Sequence, residues 1–410
     1  PTFQSPKHRL LSGLLVPITG DAIPGLEPFD DLFTTFLAEH KIPGASVCIS
    51  RDGEIVYQRG FGWADVETKA AVLPESLFRI ASVSKPITAV AVLQLIEDGR
   101  LRLDDNPFEI LGHGKTLAGD AVDPRLRDIT IMHLLRHTAG FDRGASFDPM
   151  FQYQRISRAM NVPSPPGHSA IIEFMLTQPL DLEPGTKHVY SNFGYCMLGR
   201  VIEKVSGQTY EHYVQQHVLK PVGVTNMRIG LSLPESRATS EVVYYDQRAR
   251  EGRPAHDPGL TVPLPYVIDH EVMDSHGGWI ATAGDLVKFA DAFNDRAHSP
   301  LLSKTMIERM FEPPAGHIRH DEQGNVRAAF YGCGWSVRPA GNSANTWHMG
   351  LINGTSTLLV RRHDGLNWAV LFNCDRSATK NEVAASMIDS LMHRAAAEVK
   401  SWPDSKSDRR

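Results

Sequence analysis

The chain has 410 residues, of which 42% are hydrophobic and 22% charged, a composition that supports a sizeable buried core. Lys and Arg number 42 against 47 Asp and Glu, a formal net charge of -5, and this near balance argues against nucleic acid or an anionic membrane as the main partner. No uninterrupted apolar run approaches the length of a membrane span.

In chain order, residues 1–27 read as an arm punctuated by Gly and Pro. Its weakly apolar "RLLSGLLVPITG" is broken by Ser12, Gly13 and Pro17 and lacks the longer apolar core of a signal peptide. A segment removed before Pro1 would be compatible with the chain, so the compartment stays open between cytoplasmic and periplasmic or secreted. "FDDLFTTFLAEHKIPG" predicts a helix stopped by Pro43-Gly44. "ASVCISRDGEIVYQRGFGWADV" predicts a hairpin turning at Asp52-Gly53. A helix is then expected from Ser82, its body "ITAVAVLQLI" apolar all round and therefore buried.

From about residue 104 to 270 the pattern changes to helices and loops with little convincing strand. After 276, "HGGWIATAGDLVKFADAFN" predicts another helix with Thr282 as a plausible cap. "YGCGWSVRP", "NTWHMGLINGTSTLLVRR" and "NWAVLFNCD" read as strands, and "NEVAASMIDSLMHRAAAEV" as a closing helix. Residues 401–410 read as a polar, frayed tail. Strands at both ends predict one sheet domain from 28–103 and 271–400, with 104–270 as an inserted helical lobe. The four cysteines, Cys48, Cys196, Cys333 and Cys374, lie far apart with no C-x-x-C spacing, which favours buried free thiols.

S-x-x-K occurs twice, at Ser82–Lys85 and Ser377–Lys380. About one such match is expected by chance in a chain of this size, so context must separate the copies. Ser377 follows a strand end and reads as a cap. Ser82 and Lys85 share a face at the mouth of a buried helix, with Pro86 in the first turn where its missing N–H costs nothing. A shielded lysine there can lose its proton and take that of the serine, although an N-cap serine beside a solvated lysine fits the same residues. Tyr190-Ser191-Asn192 lies between a Pro-Gly turn and an apolar helix. Tyr190 can exchange a proton and Asn192 offers an amide to a substrate carbonyl or to Lys85, while an Asx or Ser cap is the bland alternative. His348-Met349-Gly350 falls early in a strand, where glycine suggests close approach by a ligand or another backbone. The N–H of Leu351 could then face that of Ser82 as an oxyanion donor, whereas a histidine in a strand is commonly structural.

S-x-x-K, Y-S-N and H-x-G in this order resemble the serine β-lactamase and penicillin-binding protein superfamily, in particular class C β-lactamases, D-alanyl-D-alanine carboxypeptidases and family VIII carboxylesterases. "LFRIASVSKPITA", "DGRLRLDD", "ITIMHLLRHTAGF", "LEPGTKHVYSNFGY" and "HGGWIATAGDLVKFA" extend the likeness over roughly residues 30–395. The resemblance implies a mixed α/β (α+β) fold, with an antiparallel sheet of N- and C-terminal strands flanked by helices and a mainly helical inserted lobe. It also implies an acylated Ser82, an activating Lys85, Tyr190 as general base and later acid, and Asn192 positioning substrate. His348 stands where such β-lactamases carry the lysine of K-T-G, followed by Gly350 and the oxyanion donor Leu351.

A mostly neutral histidine there is a weaker anchor for a carboxylate, which tilts the expectation towards uncharged short-chain esters. The alternatives are β-lactam or D-amino-acid peptide hydrolysis, acyl transfer, and a penicillin-binding module without turnover. No cofactor and no metal are expected. His133 with His137 and His317 with His320 have plausible spacing, but no third ligand or H-E-x-x-H accompanies them. Asn353-Gly354-Thr355 matches a glycosylation acceptor and equally a turn between strands. The absence of G-x-S-x-G removes an α/β-hydrolase nucleophile elbow. Nothing in the sequence fixes the oligomeric state.

Overall fold

The computed structural model describes residues 7–11, 14–119, 122–257, 259–314, 329–341 and 343–403. His317 and His320 lie outside the described residues.

Alternating and β-branched segments at the two ends of the chain build one antiparallel sheet. The strands are β1 (Lys7–Leu11), β2 (Leu14–Thr19), β3 (Gly44–Arg51), β4 (Glu54–Asp65), β5 (Phe330–Tyr331), β6 (Ser336–Ala340), β7 (Ser343–Ile352), β8 (Thr355–Arg361) and β9 (Leu366–Phe372). Their spatial order is β1-β2-β4-β3-β9-β8-β7-β6-β5, with Ala70–Ala71 also pairing on β4. The join between the N- and C-terminal halves is β3 against β9, in register from Ala45 opposite Phe372 to Arg51 opposite Leu366. Both β3 and β9 are central and covered on two faces, which explains their nearly continuous apolar runs.

Asp52 and Gly53 both take positive φ, 52° and 87°, the two-residue geometry that matches the twist of a hairpin. The β7–β8 connection turns at Asn353-Gly354, with Gly354 at φ 74°. Residues 14–19, expected as part of an arm, instead pair with β1 on one side and β4 on the other. Pro17 hid that strand, since it removes one backbone donor and interrupts the apolar run. The stretch "YGCGWSVRP" divides into β5 and β6, with Gly334 at φ 80° between them. At the far end, Trp402 packs against Phe29 at 6.1 Å between ring centroids, so the start of the expected frayed tail is held at that residue, while 404–410 lie outside the described residues.

One sheet face is covered by α1 (Glu27–His40) and the C-terminal helix Ala384–Glu398, through Phe29, Phe33, Phe36, Trp368, Ile388 and Met392. The opposite face carries α2 (Ser84–Glu97), α3 (Asn192–Ser206) and α4 (Ala283–Asp291). Thr282 caps α4 in a capping box with Asp285, as its sequence predicts. Between Pro107 and Met273 the elements are helices and helical turns, apart from the two-residue strands Arg228–Ile229, Glu251–Gly252 and Val262–Pro263. Their apolar side chains join those of α2 in a core continuous with the sheet face. Every residue of α2 from Ser84 to Leu93 is buried. All four cysteines are free and buried. No helix among the described residues is long and apolar enough to cross a membrane.

Candidate active site

The helix begins two residues later than its sequence suggests. Ser82 sits in a 3-10 turn, Ala81–Val83, and α2 starts at Ser84. Ala81 holds φ 47°, a left-handed conformation costly for a residue with a Cβ, and so turns Ser82 out of the incoming strand. Ser84 is fully buried and its hydroxyl donates to the Ala81 carbonyl at 2.7 Å, which takes it out of contention as a nucleophile. Ser82 remains half-buried and reachable.

Lys85 is fully buried, with Nζ 3.0 Å from Ser82 Oγ, 2.8 Å from Asn192 Oδ1 and 2.6 Å from the His276 carbonyl oxygen. The last two partners can only accept. A neutral amine has two N–H bonds for them and one lone pair, which then points at the Ser82 hydroxyl. Burial favours that neutral state and pushes the Lys85 pKa well down, the Asp148 carboxylate pulling it back and the Arg143 charge adding to the depression.

Ser191 caps α3 by accepting from Gly194 N, which leaves its neighbours Tyr190 and Asn192 to face the cleft. The cap expected as the bland alternative thus falls on Ser191 alone. Tyr190 places its ring 4.8 Å from Lys85 Nζ and its hydroxyl is shut off from solvent. That hydroxyl meets no hydrogen-bond geometry, yet Ser82 lies near enough to lower its pKa against the larger upward push of burial.

The HGG stretch contributes backbone. Lys85 donates to the His276 carbonyl, and Thr88 of α2 donates to the Ser275 carbonyl at 2.6 Å. On the sheet side, a Cβ at Gly350 would lie 2.2 Å from the Ile80 carbonyl oxygen, so only glycine lets β7 run this close to the nucleophile turn. Thr357 of β8 donates to the same carbonyl at 2.8 Å. Leu351, next along β7, thereby comes alongside the turn that carries Ser82, its own side chain exposed.

His348 is buried and committed. Its Nδ1 pairs with the Met349 carbonyl at 2.7 Å, which requires a proton there, and its Nε2 accepts from Tyr331 Oη at 3.0 Å. Burial first, and then the Lys85 charge, lower its pKa to about 3. It is a neutral imidazole with no donor left for a ligand.

Other candidates separate. His133 Nδ1 accepts from Thr130 N in a capping box, while His137 is buried against Tyr190, with ring centroids 4.3 Å apart, and accepts from Ser191 N. No group of three or more His, Cys, Asp or Glu suited to a metal occurs among the described residues. Ser377 closes a turn by accepting from Thr379 N and Lys380 N, and the following helix is capped elsewhere, at Val383. Lys380 is exposed.

Sequence reasoning missed Asp148, Arg143 and Tyr331, and considered His137 only as a metal ligand, a role it set aside for want of a third ligand. Asp148 accepts from Asn192 Nδ2 at 2.7 Å, and Arg143 lies 5.0 Å over the Tyr190 ring and 3.7 Å from Asp148. Only the Asp-Pro at 148–149, a turn opener, marked this place locally.

A β-lactamase family model matches residues 29–391. The chain belongs to the β-lactamase family. It is 30% identical to Esterase EstB of Burkholderia gladioli over 320 residues, covering 75% of this chain and 76% of that one. It is 26% identical over 365 residues to Penicillin-binding protein 4* of Bacillus subtilis, covering 86% of this chain and 72% of that one. Among solved structures, the octameric penicillin-binding protein homologue from Pyrococcus abyssi superposes with a TM-score of 0.67 at 24% identity, over 93% of this chain and 80% of that one. The β-lactamase-like fold expected from the sequence is thus the fold of this family, and the chain is a serine hydrolase of that superfamily.

Proposed function

We propose that this family member is a carboxylesterase for short-chain esters, acting through an acyl-enzyme on Ser82. Ser82 Oγ bonds to the ester carbonyl carbon while its proton passes to Lys85 and Tyr190. That proton leaves with the alcohol as the ester C–O bond breaks, and water then releases the acid by the same relay in reverse. The N–H groups of Ser82 and Leu351 hold the oxyanion. Asn192 serves by holding Lys85, its other amide face being taken by Asp148.

The observation that carries the choice of substrate is His348. Where a lysine would offer a β-lactam or peptide carboxylate a fixed charge, this chain has a neutral ring with both nitrogens engaged. Similarity to an esterase supports the same choice. Similarity to a penicillin-binding protein favours a second reading, hydrolysis of β-lactams or D-amino-acid peptides. The test is kcat/KM on nitrophenyl esters, nitrocefin and D-Ala-D-Ala peptides. Esters should be turned over far faster, and a preference for nitrocefin would overturn the proposal.

A further inference from the structure

The geometry points to Arg143 and Asp148 as a pair of oppositely charged positioning residues that balance the protons of Lys85 and Tyr190, Asp148 also orienting Asn192. This inference rests on the acyl-enzyme reading of Ser82 and goes beyond it, since neither residue touches the reacting atoms.

Asp148 is the last link of a chain running from carboxylate to amide to amine. Its Oδ2 accepts from Asn192 Nδ2 at 2.7 Å, and Asn192 Oδ1 accepts from Lys85 at 2.8 Å. Its Oδ1 accepts from Met150 N at 3.1 Å, so both oxygens are fixed and the side chain is only 14% exposed. By accepting from Nδ2, the Asp148 carboxylate fixes which end of the Asn192 amide is turned to Lys85. If the amide turned over, an N–H would face the Lys85 amine and the lone pair would no longer be directed to Ser82.

Arg143 answers with the opposite charge. Its guanidinium lies 5.0 Å over the Tyr190 ring, and its distance of 3.7 Å from Asp148 is too long for a tight fork. It therefore acts on the site by its field.

That field matters because nearly everything else around the pair is neutral. Lys85 and Tyr190 are faced by His276 from the turn over α2, His137 from the loop before residue 143, Tyr195 of α3, Tyr331 of β5 and His348 of β7. Burial holds all three histidines below their ordinary range and both tyrosines above theirs. His188, exposed at the rim, contacts the rings of His137 and Tyr331. The formal charges brought against Lys85 and Tyr190 are those of Asp148 and Arg143. Asp148 raises the pKa of both groups, and Arg143 lowers both.

Activity at the acid limb requires the relay to be deprotonated. Removing the negative charge in Asp148→Asn makes deprotonation easier and moves the limb to lower pH. Removing the positive charge in Arg143→Gln makes it harder and moves the limb to higher pH. The Asp148→Asn shift should be on the order of one pH unit, and the Arg143→Gln shift smaller, because the Arg143 side chain is 50% exposed and water screens its charge. The double variant should lie between the singles, and Arg143→Lys should stay near wild type. Asp148→Asn keeps an acceptor for Asn192, whereas Asp148→Ala does not and should lose a further tenfold or so in kcat, the worth of about one directed hydrogen bond.

The measurement is the pH profile of kcat/KM on nitrophenyl butyrate, with fluorophosphonate labelling of Ser82 in the same preparations. Limbs that shift in the same direction, or do not move while Ser82 is labelled, overturn the charge pair alone. An unlabelled Ser82 in the wild type overturns the underlying mechanism instead. If Asp148 variants fail to fold, Arg143→Gln against Arg143→Lys still decides, since only the former should move.

Discussion

The two copies of S-x-x-K differ in what the rest of the chain does with them. At Ser82–Lys85 the lysine is sealed inside a helix start, and its partners come from residues 192 and 276. At Ser377–Lys380 the lysine is exposed and the serine hydroxyl is spent on two backbone N–H groups of its own turn and on His40, 3.2 Å away. One motif thus yields a buried amine beside a serine, the proton relay of the proposed mechanism, in one place and a turn closure in the other. The difference lies in burial of the amine, because only a desolvated lysine gives up its proton near neutral pH.

The strongest way to break the comparison is to remove each serine. Ser82→Ala should lower kcat/KM by about four orders of magnitude or more, as loss of a nucleophile does elsewhere. Ser377→Ala should leave it within roughly twofold and cost about 1 kcal/mol of stability through the lost turn bonds. Mass spectrometry after a fluorophosphonate should find the adduct on Ser82, and an adduct on Ser377 would reverse the assignment. The lysines sharpen the same contrast. Lys85→Arg puts a permanent charge where a neutral amine is needed and cannot shed its proton, so activity should fall by a factor on the order of a thousand. Lys380→Arg should be silent.

How much of this was legible beforehand depended on sequence distance. Ser82 and Lys85 could be paired because a helix places residues three apart on one face, and the apolar run behind them signalled burial. Tyr190 and Asn192 could be located from the Pro-Gly turn and the helix that follows. The sheet was legible for a similar reason, since the apolar runs of β3 and β9 reveal two-sided cover. What stayed hidden was long-range and polar. Asp148 meets Asn192 across 44 residues, and Tyr331 meets His348 only because β5 and β7 flank β6 in the sheet. Periodicity carries no information about such pairings. His348 was placed correctly in a strand, but that both of its nitrogens are engaged depends on Tyr331 and could not be read from "TWHMG".

Both surroundings respond to acid in the same direction, since burial also lowers the pKa of His40 beside Ser377, but the first copy has more groups to titrate. His137, His276 and His348 around the first copy are buried and held neutral, His348 with a pKa of about 3. A histidine depressed in the folded state is protonated first in the unfolded one. Below roughly pH 6.5 the unfolded chain therefore binds more protons, and stability falls as pH drops from there towards 3. The melting temperature should be flat above that range and fall by on the order of 5 °C or more on going to pH 5. His348→Asn should flatten part of the slope, and an unchanged slope would mean that the acid sensitivity has its origin elsewhere.

The smallest effect concerns substrate choice, which the first copy owes to its neighbours and not to its own four residues. His348→Lys restores a cationic side chain at the position where a carboxylate would be held. One such contact is worth on the order of 1 kcal/mol, so the ratio of kcat/KM for nitrocefin over nitrophenyl butyrate should rise by roughly tenfold or less. The structure sets two opposing terms against a larger gain. The new ammonium would share the cleft with Lys85, where a proton on either group disfavours one on the other, and Tyr331 would lose its imidazole acceptor. A lower melting temperature should therefore accompany the changed ratio. If the variant keeps its stability and the ratio does not move, the neutral imidazole is not what turns this site away from carboxylates, and the preference must come from the walls of the cleft.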